Sequence, residues 1–139
     1  MARSSAVIEL PGSEPFFVHE EDCRSERLQE LASEGARWRT LLSSDRSPSE
    51  AVTIGVAEFE PGAEFHPHWH PQPEVYYVLA GTGTVFLHDK EQPIRPGSAV
   101  FIPGNLEHSV RNDGSELLRI LYVFPVDSFA EVAYTVTGL

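Results

Sequence analysis

The chain has 139 residues, of which 41% are hydrophobic and 22% charged, the balance of one folded domain and not of a disordered segment. Ten lysines and arginines against 21 aspartates and glutamates leave a net charge of −11. That field repels phosphate backbones and anionic lipids, so neither nucleic acid nor a membrane is an expected partner. The single cysteine, Cys23, excludes an internal disulfide and a cysteine-based zinc site, and in its charged surroundings it reads as a bystander.

The first 15 residues read as an arm with a turn at Pro11-Gly12. Its apolar run, Ala6-Val7-Ile8, stops at Glu9 and is too short for the core of a secretion signal; no segment reaches membrane-spanning length. The expected location is therefore the cytoplasm. From Glu21 to Ala32 the pattern predicts one short helix, with Leu28 and Leu31 three apart among charges and Gly35 as its stop. From Arg37 the chain breaks into short apolar runs: Trp38 to Leu42, Ala51 to Phe59, Phe65 to His70, Val75 to Ala80, Thr84 to His88, Ala99 to Ile102, His108 to Arg111 and Leu117 to Phe124. Pro61-Gly62, Gly81-Thr82-Gly83, Pro96-Gly97, Pro103-Gly104 and Asn112-Asp113-Gly114 separate several of them. Many short strands punctuated by Gly and Pro turns predict an all-β antiparallel sandwich or barrel. No linker or repeat divides the chain. We therefore expect one structural domain, with residues 1–36 as arm and helix and 37–139 as barrel.

Three of the six histidines, His66, His68 and His70, alternate along one predicted strand. Strand geometry points positions i, i+2 and i+4 to one face. Three imidazoles side by side are not a packing solution, because each carries polar nitrogens that need partners. Glu74 follows past Pro71-Gln72-Pro73 and can return from the adjoining strand, and His108 can close the ring from another. A set of nitrogens and a carboxylate suits one divalent transition metal: Fe, Mn, Zn, Ni or Co. His19 and His88 read as ordinary surface histidines. If Glu74 faces inward, Tyr76 and Val78 do too, and Tyr77 faces out.

The spacing from Gly62 through His68-Trp69-His70 and Glu74 to Gly81 resembles the first motif of the cupins. The run from Gly97 through Pro103-Gly104-Asn105 and His108 to Asn112 resembles the second, with Asn105 where that family usually has glycine. The resemblance implies a cupin jelly-roll barrel and, residue by residue, the metal ligands His68, His70, Glu74 and His108. His66 is left over, as a supporting residue, a pocket wall or an alternate ligand. Trp38 and Arg39 begin a strand that could reach the barrel mouth, where parity alone does not place them.

A cupin with a full ligand set and no DNA-binding segment is expected to be an enzyme acting on a small molecule, and many cupins pair as homodimers, for which residues 1 to 20 could serve. The pattern His68, His70, Glu74, Tyr76, Gly81, with the tail Tyr122-Val123-Phe124, is similar to that of cupin-type dimethylsulfoniopropionate lyases. Some of these carry a tyrosine where this chain has Phe65. The similarity implies β-elimination, with Tyr76, or a metal-bound hydroxide, removing the proton. Fe(II)-dependent dioxygenation, metal-assisted cyclisation or isomerisation, and non-catalytic binding of a small molecule are the alternatives.

Overall fold

The computed structural model describes residues 14–137; the arm over residues 1–13, with its Pro11-Gly12 turn, lies outside them. The described chain is ten strands: β1 (Ala36–Leu42), β2 (Thr53–Phe59), β3 (Glu64–Trp69), β4 (Glu74–Ala80), β5 (Gly83–Leu87), β6 (Lys90–Ile94), β7 (Ala99–Ile102), β8 (His108–Arg111), β9 (Leu118–Phe124) and β10 (Thr135–Val136). They form two five-stranded antiparallel sheets, ordered β1-β2-β9-β4-β7 and β10-β3-β8-β5-β6. The chain changes sheet at almost every connection, which is the double Greek-key path of a jelly roll.

Alternation in sequence becomes the two sides of the barrel wall. Along β9, Leu118, Ile120, Tyr122 and Phe124 are buried, while Arg119, Leu121 and Val123 face out. Phe59 from β2 and Phe124 from β9 are fully buried. Each such ring stabilises the fold by about 2–3 kcal/mol relative to an exposed one. Gly55 on β2 makes room for an inward neighbour: a Cβ there would lie 2.1 Å from Tyr122 Oη.

Two strands escaped the sequence pattern. β6 is polar and contains Pro93, but it is the edge of its sheet, where a missing N–H breaks no ladder. β10 is only two residues long and pairs with β3.

The helix expected over Glu21–Ala32 does not form. The chain makes a single 3-10 turn at Glu20–Asp22 and then runs along the edges of the barrel. Glu26 pairs with Trp38, its N–H donating to Trp38 O at 2.7 Å and its carbonyl accepting from Trp38 N at 2.9 Å. Ala32 bridges Phe65, and Leu31 O accepts from His66 N at 2.7 Å. A helix of a dozen residues is marginal alone. Here the exposed backbones of β1 and β3 offer hydrogen bonds that a helix would forfeit. Leu31 is buried by this path, and Leu28, its presumed partner on a helical face, stays exposed.

The expectation that His66, His68 and His70 share one face also needs correction. Phe65 pairs with Val110 and His68 with His108, so three residues of β3 span two of β8. This bulge at His66-Pro67 reverses the parity between Phe65 and His68. Phe65 therefore packs inward beside His68, and the half-exposed His66 ring turns to Glu64, Nδ1 to Oε1 3.2 Å. Proline suits the bulge because its missing N–H is not needed there. Among the described residues no helix is long and apolar enough to cross a membrane.

Candidate metal centre

His68 comes from β3, His70 from the turn after it, Glu74 from the first position of β4 and His108 from the first position of β8. All four are buried. His68 and His108 are direct cross-strand partners, their ring centroids 4.2 Å apart. The two sequence motifs meet at the next contact. A Cβ on Gly104 would lie 2.2 Å from Pro71 O, so only glycine lets the second motif's turn seat on the first motif's loop. Asn105 then takes the left-handed conformation, φ 67°, and its N–H donates to His70 O at 2.8 Å. That seat fixes His70 and Glu74 relative to His108.

The protonation pattern follows from the backbone. Each histidine Nδ1 faces a carbonyl oxygen: His66 O for His68 at 2.6 Å, Gln72 O for His70 at 2.7 Å and Leu106 O for His108 at 2.9 Å. A carbonyl only accepts, so Nδ1 carries the proton and Nε2 keeps its lone pair. One nitrogen from each ring lies within 4.8 Å of the others. His70 Nε2 is 3.2 Å and His108 Nε2 3.4 Å from Glu74 Oε1. His108 Nε2 is buried with no hydrogen-bond partner among the described residues. Burial first, and the neighbouring His108 second, lower His68 from 6.5 to about 3, so it is neutral. Three imidazole Nε2 atoms gathered beside one carboxylate are a donor set that a divalent cation fits.

Tyr76 is buried as parity with Glu74 requires, its ring centroid 6.4 Å from that of His108. A second phenol was not anticipated. Tyr134 follows the 3-10 turn Phe129–Glu131, and its ring packs 5.5 Å from His68 and 5.3 Å from His70. Its position depends on the pairing of β10 with β3, Thr135 opposite Trp69 and Val136 opposite His68. A two-residue strand after an irregular segment leaves no periodic signal in the sequence. Burial, and then the Glu74 charge, push both Tyr76 and Tyr134 well above the usual tyrosine range, so both are protonated in the metal-free chain.

These groups line one cavity. Tyr76, Tyr134, His68 and Glu74 stand with Trp38, Phe59, Phe65, Tyr122 and Phe129 in its walls. The cavity is small, with an empty volume of about 380 Å³ that includes its open mouth. Only a small molecule fits. Among the described residues the walls hold no lysine or arginine, and Tyr122 Oη is already engaged by Thr40 Oγ1 at 2.9 Å. Of the β1 pair, Trp38 is inside and Arg39 outside, where it donates to Glu20 O at 3.5 Å. His19 and His88 are exposed, and Cys23 is free, on the surface side.

Comparison with known proteins identifies the family of this fold. Residues 55–124 match the cupin domain. The chain is 35% identical over 138 residues to dimethylsulfoniopropionate lyase DddW of Ruegeria pomeroyi, covering 97% of this chain and 90% of that protein. The chain belongs to the cupin family. Among other cupin relatives, protein SchB of Streptomyces halstedii is 34% identical over 89 residues, 63% of this chain and 64% of that one. Among solved structures, the polyketide cyclase RemF of Streptomyces resistomycificus superposes with a TM-score of 0.75 at 23% identity, covering 91% of this chain and 87% of that one. At that identity the likeness speaks for the cupin fold alone.

Proposed function

We propose that this cupin is a metal-dependent lyase that eliminates across the Cα–Cβ bond of a small carboxylate, and that dimethylsulfoniopropionate is the substrate to test first. The observation that carries the reading is the meeting of two phenols, the buried Tyr76 and the partly buried Tyr134, with His68 and Glu74 of the histidine–carboxylate cluster in one small, mostly apolar cavity. The relationship to the lyase DddW supports it.

His68, His70, Glu74 and His108 would hold a divalent ion. The chemistry it would supply there is positive charge, toward which a substrate carboxylate and the negative charge developing beside it would be drawn. The apolar walls exclude water, which strengthens every charge interaction inside. Tyr76 or Tyr134, after releasing its phenolic proton to solvent, accepts the α-proton as the phenolate and returns to the phenol. The C–H electron pair becomes the C=C bond, the C–S bond breaks, and dimethyl sulfide leaves with that bond's pair, so that acrylate remains. No oxidant is consumed.

The test measures dimethyl sulfide release by the metal-loaded protein, with and without oxygen. Turnover should be equal in both. Tyr76→Phe and Tyr134→Phe keep the rings and remove the hydroxyls. The variant lacking the base should fall by about 100- to 10,000-fold, with metal content unchanged. Near-normal turnover in both variants would reject a tyrosine base. Loss of activity without oxygen would favour a dioxygenase instead.

We also propose that the chain pairs with a second copy through the outer face of the first sheet. Ile54, Val123, Val75 and Phe101 form one apolar row in register across β2, β9, β4 and β7, with Phe101 64% exposed. In a chain of net charge −11, a row without a carboxylate is where two copies approach with least repulsion. Light scattering should give about twice 15.4 kDa, and Phe101→Glu should halve it. A wild-type mass of one chain at micromolar concentration would reject the pairing.

A further inference from the structure

The cavity has a second polar feature, far from the histidines in character. Trp38 is 7% exposed, and its indole Nε1, its one hydrogen-bonding atom, is buried with no partner among the described residues. Indole nitrogen donates only. A buried donor left unpaired costs about 1–3 kcal/mol, and native folds seldom carry one without a reason. Nothing next to Trp38 needs this nitrogen for packing. Its ring sits edge-on to Phe65 at 5.8 Å and tilted against Phe129 at 6.1 Å, contacts that phenylalanine could also make. Trp38 lines the same cavity as His68, Glu74, Tyr76 and Tyr134, and Phe65, which packs on Trp38, has its ring centroid 6.5 Å from that of His68.

We infer that Trp38 is a specificity-determining residue, and that its indole N–H donates to a neutral oxygen acceptor at the end of the ligand remote from the histidine cluster. The acceptor is a carbonyl, hydroxyl or sulfoxide oxygen and not a second carboxylate. Among the described residues the cavity wall offers no lysine or arginine, and burying a second anion against one neutral donor would cost far more than the hydrogen bond returns. A ligand that lacks the acceptor leaves the N–H unpaired and is discriminated against by that penalty; dimethylsulfoniopropionate, which carries a sulfonium and no such oxygen at that end, is one of these, so the inference favours a different small carboxylate at the same site. The inference rests on the proposed small-carboxylate site for the other end of the ligand, but the donor itself can be tested without it.

The experiment uses zinc-loaded, 15N-labelled protein. The chain has two tryptophans, so two indole N–H signals are expected, and Trp38→Phe assigns them. Dimethyl sulfoxide, a small neutral acceptor with no carboxylate, is titrated first. The Trp38 signal should move downfield saturably while that of Trp69 stays. A Trp38 signal unmoved at molar concentration overturns the inference, whatever the fate of the lyase reading. Next, 4-oxopentanoate is compared with pentanoate, and 5-oxohexanoate with hexanoate. At least one keto acid should bind about fivefold more tightly than its parent, the value of one neutral hydrogen bond, and Trp38→Phe should reduce that ratio to within about twofold. An unchanged ratio in Trp38→Phe overturns the specificity role. A failure of the lyase reading is separate: dimethylsulfoniopropionate would remain uncleaved while the indole signal still responds to acceptors.

Discussion

His68 ties the metal-free fold to pH in a way that can be worked out in advance. The folded protein holds this histidine at about 3, against 6.5 for an exposed one, chiefly because it is buried. The folded state therefore resists protonation at His68 and the unfolded state does not. The stability contributed by keeping it neutral is complete above pH 6.5 and is lost as pH falls from there towards 3. At pH 5 the folded site is still neutral, so the loss depends on the unfolded pKa, and the linkage relation gives about 2 kcal/mol relative to pH 7.5. With a urea dependence of about 2 kcal/mol per molar, the unfolding midpoint of chelator-treated protein should drop by about 1 M from this residue alone. His68→Leu removes the titration while keeping an apolar side chain of similar bulk. Its midpoint should fall about 1 M less over the same interval. The lowered carboxyls of Glu20, held by Arg119, and Asp45, held by Ser43, titrate below this window and do not confuse it. Equal midpoint shifts in wild type and His68→Leu would refute the reasoning.

Two further outcomes follow from the same geometry. Purified protein should carry about one divalent ion per chain by elemental analysis, since one donor set is present, and the His68→Ala/His108→Ala double variant should carry none; chelation should lower the melting temperature by about 8 °C where the metal stands at 100 times its dissociation constant, and an unchanged melt after confirmed removal would contradict the coupling. Gly104→Ala should cost about 1–3 kcal/mol, because its Cβ meets the Pro71 carbonyl, and should weaken metal binding about 10- to 100-fold by unseating His70; calorimetry and chelator competition would detect both, and a wild-type melting temperature would contradict the packing argument.

Most of the barrel was legible in the sequence because its strands obey the period-two rule and end at Gly and Pro turns. The cluster was legible for a related reason. His68, His70, Glu74 and His108 sit at fixed offsets within two motifs, and those offsets correspond to a turn and a cross-strand pair in the structure. What failed had non-local causes. The stretch from Glu21 to Ala32 has a helical spacing, but the unpaired edges of β1 and β3 compete for its backbone and win. β6 was hidden by its polarity, which is what an edge strand needs to avoid pairing with other chains.

The bulge at His66-Pro67 and the late arrival of Tyr134 belong to one arrangement. With strict alternation, three histidines would line the cavity at β3 and Phe65 would face away. The extra residue instead turns His66 out to Glu64 and brings Phe65 in, so this wall of the site presents an apolar ring where some related lyases are expected to carry a phenol. From the other end of the chain, Tyr134 places a phenol ring against His68 and His70. Pro67, whose missing N–H suits the bulge, uses its carbonyl to accept from Thr137 N at 2.8 Å, and β10 pairs immediately beside it. The same irregularity in β3 thus carries Phe65 inward and helps anchor the segment that places Tyr134 against His68 and His70. Activity assigned from the first motif alone would credit Tyr76 as the only phenol. On the lyase reading proposed above, the two tyrosines are alternative acceptors for the same proton, and the pair of single Phe variants, measured side by side, separates them.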